Sequence, residues 1–192
     1  MSKRIALLSA VTFSALALTA AIVSPVSAQD KMKSEMSGEK TVMVGGAAMF
    51  RSKNIIQNAV NSKDHTTLVA AVKAAGLVDT LEGKGPFTVF APTNAAFAKL
   101  PAGTVDTLVK PENKATLTKI LTYHVVAGKL EASDLTDGKK LKTVQGEELT
   151  VKRSGDTVMI IDAKGGSSTV TIPNVNQSNG VIHVVDTVLM PS

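Results

Sequence analysis

The chain has 192 residues, no cysteine and a formal net charge of +5. The absence of cysteine excludes disulfides, thiolate metal sites and haem attachment through a CxxC motif. Five phenylalanines, one tyrosine and no tryptophan are too few aromatic residues for a base-stacking platform, and the positive charge is too mild for a nucleic-acid-binding protein.

The first 28 residues have the layout of a secretory signal peptide. Lys3 and Arg4 form a charged start, residues 5–23 are uncharged and largely apolar, and small residues lead to Ala28. We predict cleavage after Ala28, and hence a secreted or periplasmic protein with no stable membrane span after cleavage. The alternative is an uncleaved anchor, because the uncharged run is close to the shortest length that spans a bilayer.

Residues 29–46 are polar, rich in lysine, glutamate and serine, and end in Gly-Gly. This composition predicts a flexible leader. No internal repeat and no further linker follow, so residues 47–192 are predicted to form one domain.

Helical patterns fill the first half of that domain. Residues 54–61 predict a short helix, and Asp64 is a candidate cap for a second helix. The apolar positions of the second helix follow helical spacing and are Leu68, Ala71, Val72 and Ala75. Gly76 is expected to end that helix, and residues 77–81 predict one further turn.

An abrupt junction follows. Residues 87–91 form a short apolar run, which predicts a buried strand that Pro92 ends. Thr93 or Asn94 can then cap a helix over residues 95–100, because their side chains accept hydrogen bonds from otherwise unpaired backbone N–H groups. The junction is therefore predicted to be a strand-to-helix corner with a structural role.

The second half reads mainly as strands. Residues 103–109 predict one or two helical turns, and Asn113 is a candidate cap for a helix over residues 114–122. From Tyr123 onward the pattern predicts short strands separated by glycine-containing turns. The later strands are predicted at residues 141–144, 149–153, 157–161, 169–172 and 181–185. Helices first and strands afterwards indicate an α+β fold.

The sequence contains three histidines. His65 lies near a predicted helix start and is expected to be solvated. His124 and His183 lie inside apolar runs, where a ring either is held by structural hydrogen bonds or serves as a ligand or general base. No histidine pair has metal-ligand spacing, and neither a Gly-x-Ser-x-Gly motif nor a phosphate-binding glycine loop is present. We therefore predict no catalytic residue, no metal and no cofactor.

Three segments carry a family resemblance. Residues 88–97 (TVFAPTNAAF), 121–126 (LTYHVV) and 179–191 (NGVIHVVDTVLMP) resemble, in order and spacing, the two boxes and the central Tyr-His of fasciclin domains. The resemblance covers about residues 50–191. It implies a fasciclin-like α+β fold, with N-terminal helices packed on a β wedge of about seven strands in two sheets. It also implies an extracellular adhesion role without catalysis, in which Tyr123 and His124 belong to a motif linked to adhesion and domain integrity.

These observations leave three hypotheses. The first is a non-enzymatic module for cell adhesion or surface interaction, whose partner is a protein or polysaccharide of the envelope or extracellular space. The second is a periplasmic binding protein for a small apolar ligand or lipid, held in a pocket between helices and sheet. The third is a hydrolase that uses His124 or His183. The sequence leaves the partner and the oligomeric state open.

Overall fold

A computed structural model of the protein describes residues 40–192, so the predicted signal peptide and most of the predicted leader lie outside the described residues. The helices are α1 (Ile55–Ala59), α2 (Thr66–Ala75), α3 (Val78–Glu82), α4 (Asn94–Ala98), α5 (Thr104–Leu108) and α6 (Lys114–Tyr123), with 3₁₀ turns at Lys63–His65 and Pro111–Asn113. The strands are β1 (Val42–Val44), β2 (Ala47–Met49), β3 (Phe87–Pro92), β4 (Val125–Ala127), β5 (Lys140–Lys142), β6 (Glu148–Ser154), β7 (Thr157–Ile161), β8 (Ser167–Gln177) and β9 (Gly180–Val185). None of these helices is long and apolar enough to cross a bilayer.

Seven strands hydrogen-bond in the order β4-β3-β9-β8-β7-β6-β5, and β1 pairs with β2 in a separate hairpin. The long strand β8 belongs to both halves of the seven-stranded sheet, because its first residues pair with β7 and its remainder pairs with β9. A bridge between Val126 and Thr143 joins the two ends of this order, so the wedge approaches a closed barrel. The predicted α+β fold, with helices packed on a seven-stranded wedge, is confirmed.

The alternation of side chains along the central strands creates two cores. Val89 and Ala91 of β3 face the helices and join one apolar cluster. Phe90, between them, faces the inside of the wedge and joins the other cluster, together with Val185 of β9. β3 and β9 are buried along almost their whole length because each strand supplies both cores.

The predicted corner after β3 is present. Pro92 is the last residue of the strand, and the Thr93 hydroxyl caps α4 by accepting a hydrogen bond from the Ala96 N–H at 3.2 Å. Asn94 serves a different helix, since its side-chain oxygen accepts from the Thr67 N–H at 3.0 Å near the start of α2. The predicted cap Asp64 is therefore wrong, because the 3₁₀ turn delays the helix start and a distant asparagine takes over the capping role.

Two other predictions need correction. The predicted strand from Tyr123 starts too early, because Tyr123 is the last residue of α6 and His124 is its helical C-cap, and only Val125–Ala127 is extended. The predicted leader, residues 29–46, overlaps strand β1, which pairs with β2 and buries Val44 in the core beneath the helices. The second prediction extended the polar composition of residues 29–41 too far, since residues 42–44 are apolar and pair with their immediate neighbour β2 across Gly45-Gly46.

Candidate functional site

Tyr123 and His124 lie where α6 meets the sheet, and both are buried, with exposed fractions of 0% and 2%. The apolar face of α6 fixes them there, because Leu117, Ile120 and Leu121 pack into the core beneath the helices. Two positions further on, Tyr123 enters the core inside the wedge. The end of α6 thus connects the two cores.

The Tyr123 hydroxyl joins two turns of the wedge. It accepts a hydrogen bond from the Ala163 N–H at 2.8 Å, in the loop that follows β7. It donates a longer bond, 3.4 Å, to the carbonyl of Glu148 at the start of β6. Burial raises the pKa of this phenol, and the bond from Ala163 only partly opposes that effect. The hydroxyl therefore stays protonated and acts as a link between backbone segments.

His124 links α6 to the C-terminal segment. Its Nδ1–H donates to the Ile120 carbonyl at 2.9 Å, and its Nε2 accepts from the Leu189 N–H, also at 2.9 Å. Burial lowers the pKa of the ring to about 4, against the smaller opposing effects of the Ile120 carbonyl and the Asp162 charge. The ring is thus neutral at physiological pH. Both nitrogens are occupied by backbone groups, which leaves neither available as a general base or metal ligand.

Asp162 completes this site, and the sequence reasoning missed it. One carboxylate oxygen accepts from the backbone N–H groups of Lys164 and Gly166, at 3.0 and 2.7 Å. The other accepts from the Met190 N–H at 3.1 Å, next to the segment that His124 holds. An aspartate three positions before Gly-Gly is a usable signal, because such side chains bond the backbone of their own turn. We call Tyr123, His124 and Asp162 the Tyr-His site.

His183 is buried in a different set of contacts. Its Nε2–H donates to the Leu130 carbonyl at 2.8 Å, and its Nδ1 accepts a long bond, 3.4 Å, from the Asn174 N–H. The ring stacks on Phe90, with centroids 5.7 Å apart and planes inclined by 26°. Burial lowers its pKa, and the Leu130 carbonyl opposes this less strongly. His183 and His124 share no hydrogen-bond partner in the described residues.

His65 differs from its predicted solvated state, since only 3% of it is exposed. The 3₁₀ turn Lys63–His65 directs its last residue inward, where Nδ1 shares a 2.9 Å hydrogen bond with the Ser62 hydroxyl. Nε2 has no hydrogen-bond partner among the described residues. Burial lowers the pKa of this ring. Two smaller effects oppose the shift, namely the Asp64 charge and the nearby Ala91 carbonyl, which does not complete a hydrogen bond with the ring.

The polar groups of the Tyr-His site are thus occupied in holding backbone. Within residues 40–192, no three histidine, aspartate or glutamate side chains are grouped closely enough to hold a metal ion. The arrangement fixes three neighbouring segments, which are the turn before β6, the loop after β7 and the C-terminal segment.

Comparisons with known proteins agree with this architecture. A family model described as "Fasciclin domain" matches residues 63–191. Protein sll1483 of Synechocystis sp. is 49% identical over 153 residues, which cover 80% of this chain and 82% of the relative. The cell surface glycolipoprotein MPB83 of Mycobacterium bovis is 41% identical over 152 residues, covering 77% of this chain and 64% of that protein.

Among solved structures, a FAS1 domain pair from the insect cell adhesion molecule Fasciclin I aligns with a TM-score of 0.64. The sequences are 20% identical, so this likeness concerns the fold alone. The alignment covers 72% of this chain and 51% of the insect chain, so this chain spans about half of that length.

Proposed function

Because the chain belongs to the fasciclin family, we propose that it is an exported, non-enzymatic module that mediates cell adhesion or interaction with a surface. The name of one relative supports this, since that protein is a cell surface glycolipoprotein. The partner class is a protein or polysaccharide of the envelope or extracellular space.

The burial of the Tyr-His site carries the proposal. Tyr123 and His124 cannot touch a partner directly, since both side chains are enclosed. Their role in binding is to hold the turns around them in a fixed conformation, because preorganised loops lose less entropy on binding. The same hydrogen bonds argue against catalysis, since a general base needs a ring nitrogen within reach of substrate.

The contact surface is proposed to lie on the turns that the Tyr-His site supports. Val144, beside the turn before β6, is an apolar side chain with 46% exposure. Its backbone N–H donates to the Val125 carbonyl at 2.7 Å, which anchors the turn to β4. Lys164 is exposed in the loop after β7, where the Asp162 carboxylate fixes its backbone. An apolar and a basic side chain on rigid turns suit a protein or an acidic polysaccharide.

A deletion strain tests the adhesion role. We expect reduced attachment to abiotic surfaces or host matrix, restored by the wild-type gene. Val144→Asp and Lys164→Glu should fail to restore attachment although the protein folds with an unchanged melting temperature. Lys152→Glu is the matched control, because it reverses an exposed lysine on β6 outside both turns. Unchanged attachment of the deletion strain on several surfaces would refute the proposal.

The export step is tested separately. We expect the protein in the extracytoplasmic fraction, with an N-terminus at Gln29 after cleavage behind Ala28. A full-length N-terminus in the membrane fraction would instead support the uncleaved anchor.

A further inference from the structure

A cavity of about 40 Å³ lies between the helices and the sheet. Helices α1 and α2 contribute Ile56 and Val72, strands β3 and β9 contribute Val89 and Ile182, and the remaining lining residues are apolar apart from His65. This position coincides with the core beneath the helices, so the cavity is part of the folded domain. This volume exceeds the roughly 10–15 Å³ that one water-sized sphere needs, so the cavity has room for the end of a small molecule.

The single polar side chain of the cavity wall is chemically unsatisfied. His65 is almost wholly buried, its Nδ1 is engaged by Ser62, and its Nε2 has no partner among the described residues. An unpaired buried polar atom carries the cost of its lost hydration, and such atoms are rare in native proteins. The other two histidines of the chain have both ring nitrogens paired, so the unpaired nitrogen is specific to this cavity.

The residues that line the cavity also indicate which kind of molecule it can bind. A buried water makes about three hydrogen bonds, whereas Nε2 of His65 and the nearby Ala91 carbonyl offer at most two. A purely apolar molecule would match the wall but would leave Nε2 unpaired. A group with a hydrocarbon body and one hydroxyl satisfies both requirements. The hydroxyl suits either neutral tautomer of His65, because it can donate to or accept from Nε2.

We propose that this cavity is a binding site for the hydroxyl-bearing end of an aliphatic alcohol, with Nε2 of His65 as its hydrogen-bond partner. The site is separate from the Tyr-His site and does not depend on the adhesion role. Its hydrocarbon wall gives affinity through burial of the alkyl end, and the single imidazole gives specificity for the hydroxyl over an alkane.

The three histidines provide an internal comparison for the test. The full-length chain, labelled at histidine ring nitrogens and at valine, leucine and isoleucine methyls, is expressed, purified and titrated with 1-propanol by NMR. We expect saturable shifts at the His65 ring and at the methyls of Val72 and Ile182. The rings of His124 and His183 should move less than one-fifth as far. No saturable shift at His65, or equal shifts at all three rings, would overturn the proposal.

Two variants separate the contributions of space and hydrogen bonding. Val72→Ile adds one methylene beside the cavity and should weaken 1-propanol binding at least tenfold, whereas Val60→Ile, at an exposed position, should leave it unchanged. His65→Phe keeps an aromatic ring without nitrogen. It should weaken 1-propanol binding but leave the methyl shifts caused by dissolved xenon unchanged. Two outcomes would show that His65 does not select a hydroxyl. One is undiminished binding of 1-propanol to folded His65→Phe, and the other is a wild-type protein that binds xenon but does not bind 1-propanol.

Discussion

At the scale of single residues, this domain uses its buried polar side chains to pair backbone groups. The Tyr123 hydroxyl and both nitrogens of His124 engage main-chain atoms from four different segments. Neutral rings and hydroxyls suit this purpose, because each supplies a donor and an acceptor without the cost of burying a charge. The exceptions among the described residues are Oδ1 of Asn176 and Nε2 of His65, a residue of the cavity wall.

Removal of the Tyr123 hydroxyl tests the link to the loop after β7. Tyr123→Phe leaves the Ala163 N–H without its 2.8 Å acceptor, so we expect a loss of about 1–2 kcal/mol of unfolding free energy. Urea denaturation measures the loss, and amide hydrogen exchange locates it. Exchange should accelerate at Ala163, while Lys164 stays protected by Asp162. Equal acceleration at both amides would contradict a role specific to the hydroxyl.

Replacement of His124 tests the link to the C-terminal segment. His124→Ala leaves the Leu189 N–H and the Ile120 carbonyl without their side-chain partner. We expect a loss of about 1–3 kcal/mol from the unpaired groups, with a further loss from the space created. Lys129→Ala, at an exposed position, is the control and should change little. A melting temperature equal to that of the wild type would show that these bonds are not needed.

At the scale of elements, amide side chains attach the helices to the sheet. Asn179, in the turn between β8 and β9, accepts from the Ile55 N–H at the start of α1 and donates to the carbonyls of Leu81 and Gly83 around the end of α3. Asn58 of α1 bonds Gln177 of β8 in the interior. Each side-chain amide offers both donors and an acceptor, so one asparagine can pair backbone N–H and C=O groups at the ends of two helices.

Asn179→Ala should therefore loosen two helices at once. We expect a loss of about 2–4 kcal/mol, because three backbone groups lose their partner, at about 1 kcal/mol or more each. Ser178→Ala is the matched neighbour, since only the backbone N–H of Ser178 is used, donating to the Lys53 carbonyl at 2.9 Å. Chemical denaturation of both variants measures the difference. Similar losses for the two would indicate a general sensitivity of the turn.

At the scale of the whole molecule, burial of all three histidines makes stability depend on pH. Each ring has a pKa lowered by burial, to about 4 for His124. In the unfolded chain histidine binds a proton near pH 6.5. Between these values the unfolded state binds more protons than the folded state, so the stabilisation is complete above about pH 6.5 and is lost as pH falls toward 4.

We expect the urea midpoint to fall steadily from pH 7 to pH 4, with His124 alone contributing roughly 3 kcal/mol across that range. His124→Asn cannot titrate there, so its midpoint should depend less steeply on pH even if the variant is less stable throughout. NMR titration of the wild type provides a direct check. A His124 ring that titrates near pH 6.5 in the folded protein would contradict its burial.

The predictability of the elements follows the range of the interactions that stabilise them. The corner from Phe90 through Thr93 was predictable because apolar run, proline and cap are adjacent in the chain. The end of α2 at Gly76 was predictable for the same reason, since its positive φ of 71° favours glycine. The apolar run after Tyr123 was ambiguous, because short apolar segments satisfy helix and strand patterns alike.

The sequence by itself determined the α+β order and the apolar faces, because these depend on periodicity and on residues that are near neighbours, and its resemblance to fasciclin domains implied the candidate Tyr-His pair. Only the tertiary structure decided which polar atoms are paired. It buried His65 against expectation, brought Asp162 to the Tyr-His site and left one nitrogen of a cavity-lining imidazole unpaired. The reason is that hydrogen-bond partners and enclosed space are set by segments far apart in the chain, and a linear pattern carries no measure of either.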